Sequence, residues 1–504
     1  MMIGLTAIFA AGCGKQQSPS HPASAPESSQ PATSTEINEK FSQAPVVESE
    51  IGSSLSFRMI AAESGFDFVR NDDMHGQERI FEVNGGGVAA FDMDADGWLD
   101  VFMTNGCRVP LALQSRETPG KLFRNLQQMR FSDCSQASGL MQYGYCTGCA
   151  VGDTNEDGFE DLYIAAFGPN EFWINNGDGT FSLNSGSRIP EVSEWSSSVA
   201  FADLNADCAL DLYIANYVAE SDTDPKLCDD SKPGVRKTGC SPPFFDGVSD
   251  RLLLSDGHGG FLDGSTAAGL AANPGKGLGV AICDFGGDPA PEIFVANDGE
   301  MNFLFTTDID HGRDEPDVRG ELILKEQAVF ANVAINEQGF AQANMGVAAA
   351  DLDRNGLVDI FVTHFFGETS TLYLNHSTSE SLMFEDATRV SALGAPSRTK
   401  LGFGVVPIDV DNNGWKDLLI VNGHVNDKTW SSTPYRMRPQ LFANQGNAEF
   451  VDVSGSAGEY FQRELLGRGL ATGDFDRDGR IDAVVSQQIE IGRASCRERV
   501  SGVV

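Results

Sequence analysis

An acidic nonapeptide punctuates this chain seven times. It reads DMDADGWLD from Asp92, DTNEDGFED from Asp153, DLNADCALD from Asp203, DFGGDPAPE from Asp284, DLDRNGLVD from Asp351, DVDNNGWKD from Asp409 and DFDRDGRID from Asp474. Successive copies start 50 to 81 residues apart, and recurrence on this scale marks a repeat architecture. A Phe-led unit alternates with it, starting at Phe57, Phe131, Phe181, Phe261, Phe330, Phe384 and Phe450. Each Phe-led copy precedes one acidic loop.

The residues around these units read as short strands. A Gly/Ala-rich run such as GGGVAAF (85–91) enters each loop, and an alternating run such as LDVFMTN (99–105) leaves it. An "LF.N" segment follows, such as KLFRN (121–125) or QLFAN (440–444), then a turn and the Phe-led strand. Asn-Gly and Gly-Asp pairs supply hairpin chemistry. No segment sustains a helical period. Four strands per repeat and seven repeats predict an all-β, seven-bladed β-propeller over residues 55–489, with the small-residue strand nearest the axis. The unpaired Phe57 unit is expected to complete the last blade as an N-terminal strand and so close the ring. Residues 57–68 should then touch 469–488. The third strand of that blade has no candidate before Glu490.

The loop chemistry points to calcium. Oxygen ligands at positions 1, 3, 5 and 9, with Gly at 6, suit a hard cation that takes six to eight oxygens and needs a sharp turn around it. The expected ligands are Asp92, Asp94, Asp96 and Asp100; Asp153, Asn155, Asp157 and Asp161; and Asp203, Asn205, Asp207 and Asp211. The later loops offer Asp351, Asp353, Asn355 and Asp359; Asp409, Asp411, Asn413 and Asp417; and Asp474, Asp476, Asp478 and Asp482. An EF-hand is excluded, because position 12 is Met103, Ile164 or Val485 and the flanks are strands. Cys208 stands where the third loop wants Gly. Gly286 and Pro289 spoil the loop at Asp284, which is expected to be weak or empty. About five or six Ca2+ sites are therefore expected. A plain Asx turn explains one such loop but not seven.

Asp and Glu number 72 against 35 Lys and Arg, a net charge of −37 that argues against nucleic-acid partners. Residues 1–13 resemble a lipoprotein signal, with Cys13 as the lipid-bearing residue. Residues 14–50, rich in Ser and Pro, read as a disordered tether. These ends predict an exported protein, lipid-anchored at the outer membrane or cell surface or held in the periplasm. EIGRASCRERV (490–500) resembles a translated sequencing adapter, and 490–504 is set aside as an artefact that truncates the chain.

The acidic loops, GGGVAAFDMDADGWLDVFMTNG, the "LF.N" sections and VNGHV (421–425) together resemble the FG-GAP/VCBS repeat proteins. Within these, they look like the bacterial CRTAC1-type, ASPIC/UnbV-associated branch. The resemblance implies calcium binding and extracytoplasmic interaction, with an ASPIC/UnbV domain usual after the propeller.

Eight cysteines remain besides Cys13 and Cys496. Cys228 and Cys240 bracket DDSKPGVRKTG within the longest insertion (218–249) and are expected to pair. CTGC (146–149) sits on a predicted inner strand and reads as structural. His424 in NGHVND is the most motif-like histidine, with packing as its plain explanation. No nucleophile–base set is legible. The leading expectation is an exported calcium-binding propeller that binds a protein or glycan. The alternatives are a propeller lyase or hydrolase acting on polysaccharide, and a purely structural adhesive module.

Overall fold

The computed structural model describes residues 56–73, 78–111, 117–184, 190–229, 237–287, 290–310, 321–427, 432–488 and 501–503. The predicted signal, the tether and residues 490–500 lie outside these. Each repeat folds as an antiparallel meander. Blade 1 comprises Val88–Phe91, Asp100–Met103, Lys121–Asn125 and Phe131–Asp133. Blade 2 comprises Tyr145–Gly152, Asp161–Phe167, Glu171–Asn175 and Phe181–Leu183. Blade 3 uses Ser196–Ala202, Asp211–Asn216, Arg251–Ser255 and Phe261–Asp263, and blade 4 Gly277–Cys283, Glu292–Asn297, Phe303–Asp310 and Glu321–Glu326. Blade 5 uses Asn344–Ala350, Asp359–His364, Thr371–Asn375 and Phe384–Asp386. Blade 6 uses Gly402–Ile408, Asp417–Asn422, Gln440–Asn444 and Phe450–Asp452.

The molecule is thus an all-β propeller with six complete blades, not the seven expected. The seventh acidic loop lies in a three-stranded sheet of Gly467–Gly473, Asp482–Gln487 and Ser501–Val503. The Phe57 unit does not supply its outer strand. Residues 56–60 are irregular and lead into helix α1 (Ala61–Ser64). The reason lies in the ladder. An outer strand pairs with the free edge of its blade's third strand, and beside the third strand here, Ser501–Val503, lies helix α1 instead. Phe57 docks instead through its N–H to the Ala457 carbonyl (2.8 Å) and its ring against Phe461. Phe66 and Phe68 do share a core with Ala471, Phe475 and Val484.

The first strands lie innermost, and their small residues are a packing requirement. A Cβ on Gly346 would overlap the Phe403 carbonyl of blade 6, and one on Gly469 the Gly86 carbonyl of blade 1. The axis itself is filled by helix α2 (Ile80–Val83), whose four residues are all buried. Ile80, Phe81 and Val83 join one apolar cluster with Tyr145, Trp195, Leu278, Met345 and Phe403, drawn from blades 2 to 6. Arg468 anchors this stopper. Fully buried, it donates from Nε to the Val83 carbonyl (3.0 Å) and from Nη2 to that of His424 (3.2 Å). Cys228 and Cys240 form a disulfide across the Leu227–Asp229/Lys237–Gly239 ribbon.

Candidate metal centres and the family

Each acidic loop joins the first strand of a sheet to the second, and six of the seven share one hydrogen-bonding scheme. The position-1 carboxylate wraps the turn. Asp92 accepts the N–H groups of Asp96 (3.1 Å) and Gly97 (2.7 Å); Asp351 accepts those of Asn355 (3.1 Å) and Gly356 (3.0 Å). Asp153, Asp203, Asp409 and Asp474 do the same at positions 5 and 6. The position-5 oxygen accepts the N–H of position 7, as from Trp98 to Asp96 (2.9 Å). The turn requires left-handed backbone at position 6, and Cys208 adopts it (φ 69°) much as Gly97 does (φ 83°). The third loop therefore keeps its shape despite the missing glycine.

The position-9 carboxylate is the buried hinge. Asp100 accepts the Met93 N–H (3.1 Å) on one oxygen and the Asn125 N–H (2.7 Å) on the other. Asp161, Asp211, Asp359 and Asp417 repeat this pair of bonds. Burial pushes Asp100, Asp211, Asp359 and Asp482 up to about 7, and Asp161 and Asp417 to about 6. The two backbone bonds, where present, only partly offset this, and the neighbouring loop carboxylates add to it.

Four loops bring three carboxylate oxygens within 4.8 Å of one another: Asp92/Asp94/Asp96, Asp351/Asp353/Asp359, Asp409/Asp411/Asp417 and Asp474/Asp476/Asp482. The loops at Asp153 and Asp203 carry Asn155 and Asn205 at position 3, each accepting the N–H of position 5 at 3.0 Å. The residues fit a hard divalent cation. Converging oxygens of one sign repel unless something positive lies between them, and Asp94 Oδ1 is buried with no hydrogen-bond partner. Arg124 reaches the same cluster, 2.5 Å from Asp94 and 3.3 Å from Asp96. The loop at Asp284 departs. Glu292 Oε2 takes the N–H groups of both Phe285 (2.7 Å) and Gly286 (3.1 Å), and Asp284 is exposed. Residues 288 and 289 lie outside the described part.

Two features escaped the sequence reading. The Asn of "LF.N" is a latch between blades. Asn125 Nδ2 donates to Leu99 O (3.0 Å) within its blade and to Phe475 O (2.9 Å) in the last sheet. Asn175, Asn375 and Asn444 bond Met93, Phe285 and Leu352 of the preceding blade at 2.8–2.9 Å. Adjacent loops also touch. Arg354 at position 4 stacks on Trp415 of the next loop (4.0 Å), and Arg477 on Trp98 (4.5 Å). The recurring "LF.N" string was visible, but its partner is set by blade geometry.

The family description for the FG-GAP-like repeat matches residues 92–164, 153–214, 351–420 and 409–485, each stretch beginning at an acidic loop. The chain belongs to the FG-GAP-like repeat family. The unmatched middle of this FG-GAP propeller holds blade 4 and its divergent loop. The chain is 26% identical over 414 residues to human cartilage acidic protein 1, covering 79% of this chain and 56% of that protein. The Xenopus tropicalis form is 25% identical over 417 residues, with 79% and 57% covered. The chain thus spans just over half the length of these relatives. Among solved structures, BBS1N in complex with ARL6DN aligns with a TM-score of 0.45 and 8% identity, over 86% of this chain and 94% of that one. The rhamnogalacturonan lyase YesW aligns with a TM-score of 0.34 and 12% identity, over 80% of this chain and 68% of that one.

Proposed function

We propose that this FG-GAP propeller is an exported, calcium-stabilised binding module of the bacterial CRTAC1-type branch. It takes about five or six Ca2+ ions through the ligand sets named above, with the loop at Asp284 weak or empty. The observation that carries this reading is the convergence of three carboxylates within 4.8 Å in four loops that share one backbone scheme. Calcium bound there would neutralise the clusters, hold the first two strands of each sheet at a fixed angle and keep the ring closed between blade 1 and the last sheet. The fixed scaffold then presents the opposite corners to a protein or glycan partner. Export and lipid attachment at Cys13, followed by the 14–50 tether, would place the body at the outer membrane, on the cell surface or in the periplasm.

Metal analysis of dialysed protein and calorimetric titration with CaCl2 test the calcium reading. About five or six bound ions and a melting temperature lowered by on the order of 10 °C in excess chelator are expected. An unchanged melting curve and no bound calcium would overturn it.

A further inference from the structure

Across the molecule from the acidic loops, the corners that follow the second strands enclose a cavity of about 270 Å³ beside α2. The second strands that lead to it are six residues long, so the two sites stand ~20 Å apart along the strand direction. The NGHVND motif builds one wall. His424 Nδ1 accepts the Asn426 N–H (3.0 Å), and its ring packs edge-on against Phe365 (5.2 Å) and Phe366 (6.1 Å). That turn sets Asn426 in the cavity, where its amide donates to Glu78 Oε2 (3.1 Å), while the Asp427 N–H donates to Glu78 Oε1 (3.1 Å). Asp298 stands just past the second strand of blade 4. It is 5% exposed, accepts the Tyr217 hydroxyl (2.5 Å) and has no ion-pair partner among the described residues.

The remaining walls are mainly apolar or aromatic, Met345 and Phe365 among them, and no Lys or Arg lines the space among the described residues. Lys276 pairs with Glu300 (2.7 Å) and its charge also favours ionised Asp298, which Glu368 and Glu300 oppose, while Arg79 is held by Glu82 and Asp73. Burial pushes Asp298 up to about 6, so it is largely ionised at neutral pH. Burying a carboxylate is costly, and a cation placed beside it recovers part of that energy. A bare divalent ion favours an all-oxygen shell, whereas these walls are largely apolar or aromatic. An ammonium group on a short apolar stem suits them better. Its N–H donors meet the carboxylates, and the Tyr217 and Phe365 rings add cation–π attraction. The volume lies just under the range for drug-sized ligands, which leaves room for one long side chain or a small amine.

We propose that this axial cavity binds an alkylammonium group, either a lysine side chain of a partner protein or a small free amine. The inference rests on the binding reading above and names its ligand class. Calorimetry on the full calcium-loaded chain tests it, with n-butylammonium, Nα-acetyl-lysine methyl amide and neutral Nα-acetyl-norleucine methyl amide as probes. One or both cations should bind and the neutral probe should not. Binding of the lysine derivative points to a protein partner, and binding of butylammonium alone to a free amine. Asp298→Asn and Glu78→Gln should each weaken binding at least tenfold, and Met345→Trp, which fills the space, should abolish it. Equal binding of the neutral probe, or Asp298→Asn and Glu78→Gln both without effect in folded protein, would overturn the pocket. Calcium titration of the same samples separates the two claims, because a failed pocket with intact calcium sites leaves the metal reading standing.

Discussion

Blades 4 and 5 are neighbours that solve the same turn in two ways. In blade 5, Asp359 accepts one N–H from the loop and one from the third strand, while Asp351 and Asp353 gather beside it. In blade 4, Glu292 reaches further and takes two loop N–H groups on one oxygen, with Gly286 in place of an acidic third position. The latch differs as well. Asn375 bridges Val358 O and Phe285 O, whereas Thr307 reaches only its own blade at Pro291 O (3.1 Å). Both blades keep four strands. The carboxylate at position 9 pins the loop backbone in both blades; in the calcium reading proposed above it also completes a ligand shell, a second job that blade 4 would lack.

Acid should break the comparison most visibly. In chelator, the six position-9 aspartates carry folded pKa values of about 6 or 7 against an ordinary value of 3.8. A raised folded value means that stability is greatest at low pH and is lost as pH rises through 6–7. Metal-free protein should therefore melt higher at pH 5 than at pH 8. Excess calcium should reverse the sign, because the ion needs ionised ligands. Hydrogen exchange should place the high-pH loosening at Leu352 in blade 5 and spare Phe285 in blade 4. Uniform exchange across the two blades would contradict the separation of roles. A single substitution sharpens it. Asp359→Ala should remove one calcium and cost about 3 kcal/mol in denaturant unfolding, since it orphans two backbone donors. Asp284→Ala should leave the calcium count unchanged. The smallest effect concerns the latch. Asn375→Ala should cost about 1–2 kcal/mol with no change in calcium stoichiometry; a lost ion would mean that the latch also shapes the site.

The acidic loops were legible because their oxygens must recur at fixed intervals whatever lies between them. The repeat order and small inner strands followed from the same regularity. The blade count did not. The Phe57 unit has the composition of an outer strand, but a strand needs a ladder partner, and composition does not report one. Helix α2 was invisible for a different reason. Four residues carry no helical period, and what places Ile80–Val83 is the space left on the axis by blades that meet there. The Asn latch was spelled out in the sequence but has meaning only when Asn125 is seen opposite Phe475, 350 positions away.

Because Ile80–Val83 stoppers the middle of the ring, the two faces of this propeller are separate compartments. In the readings proposed above, the face of the aspartate turns meets inorganic ions and the opposite recess organic ones, and the apolar cluster around the helix stands between them. Any exchange between them would have to travel through the strands as a change in blade tilt.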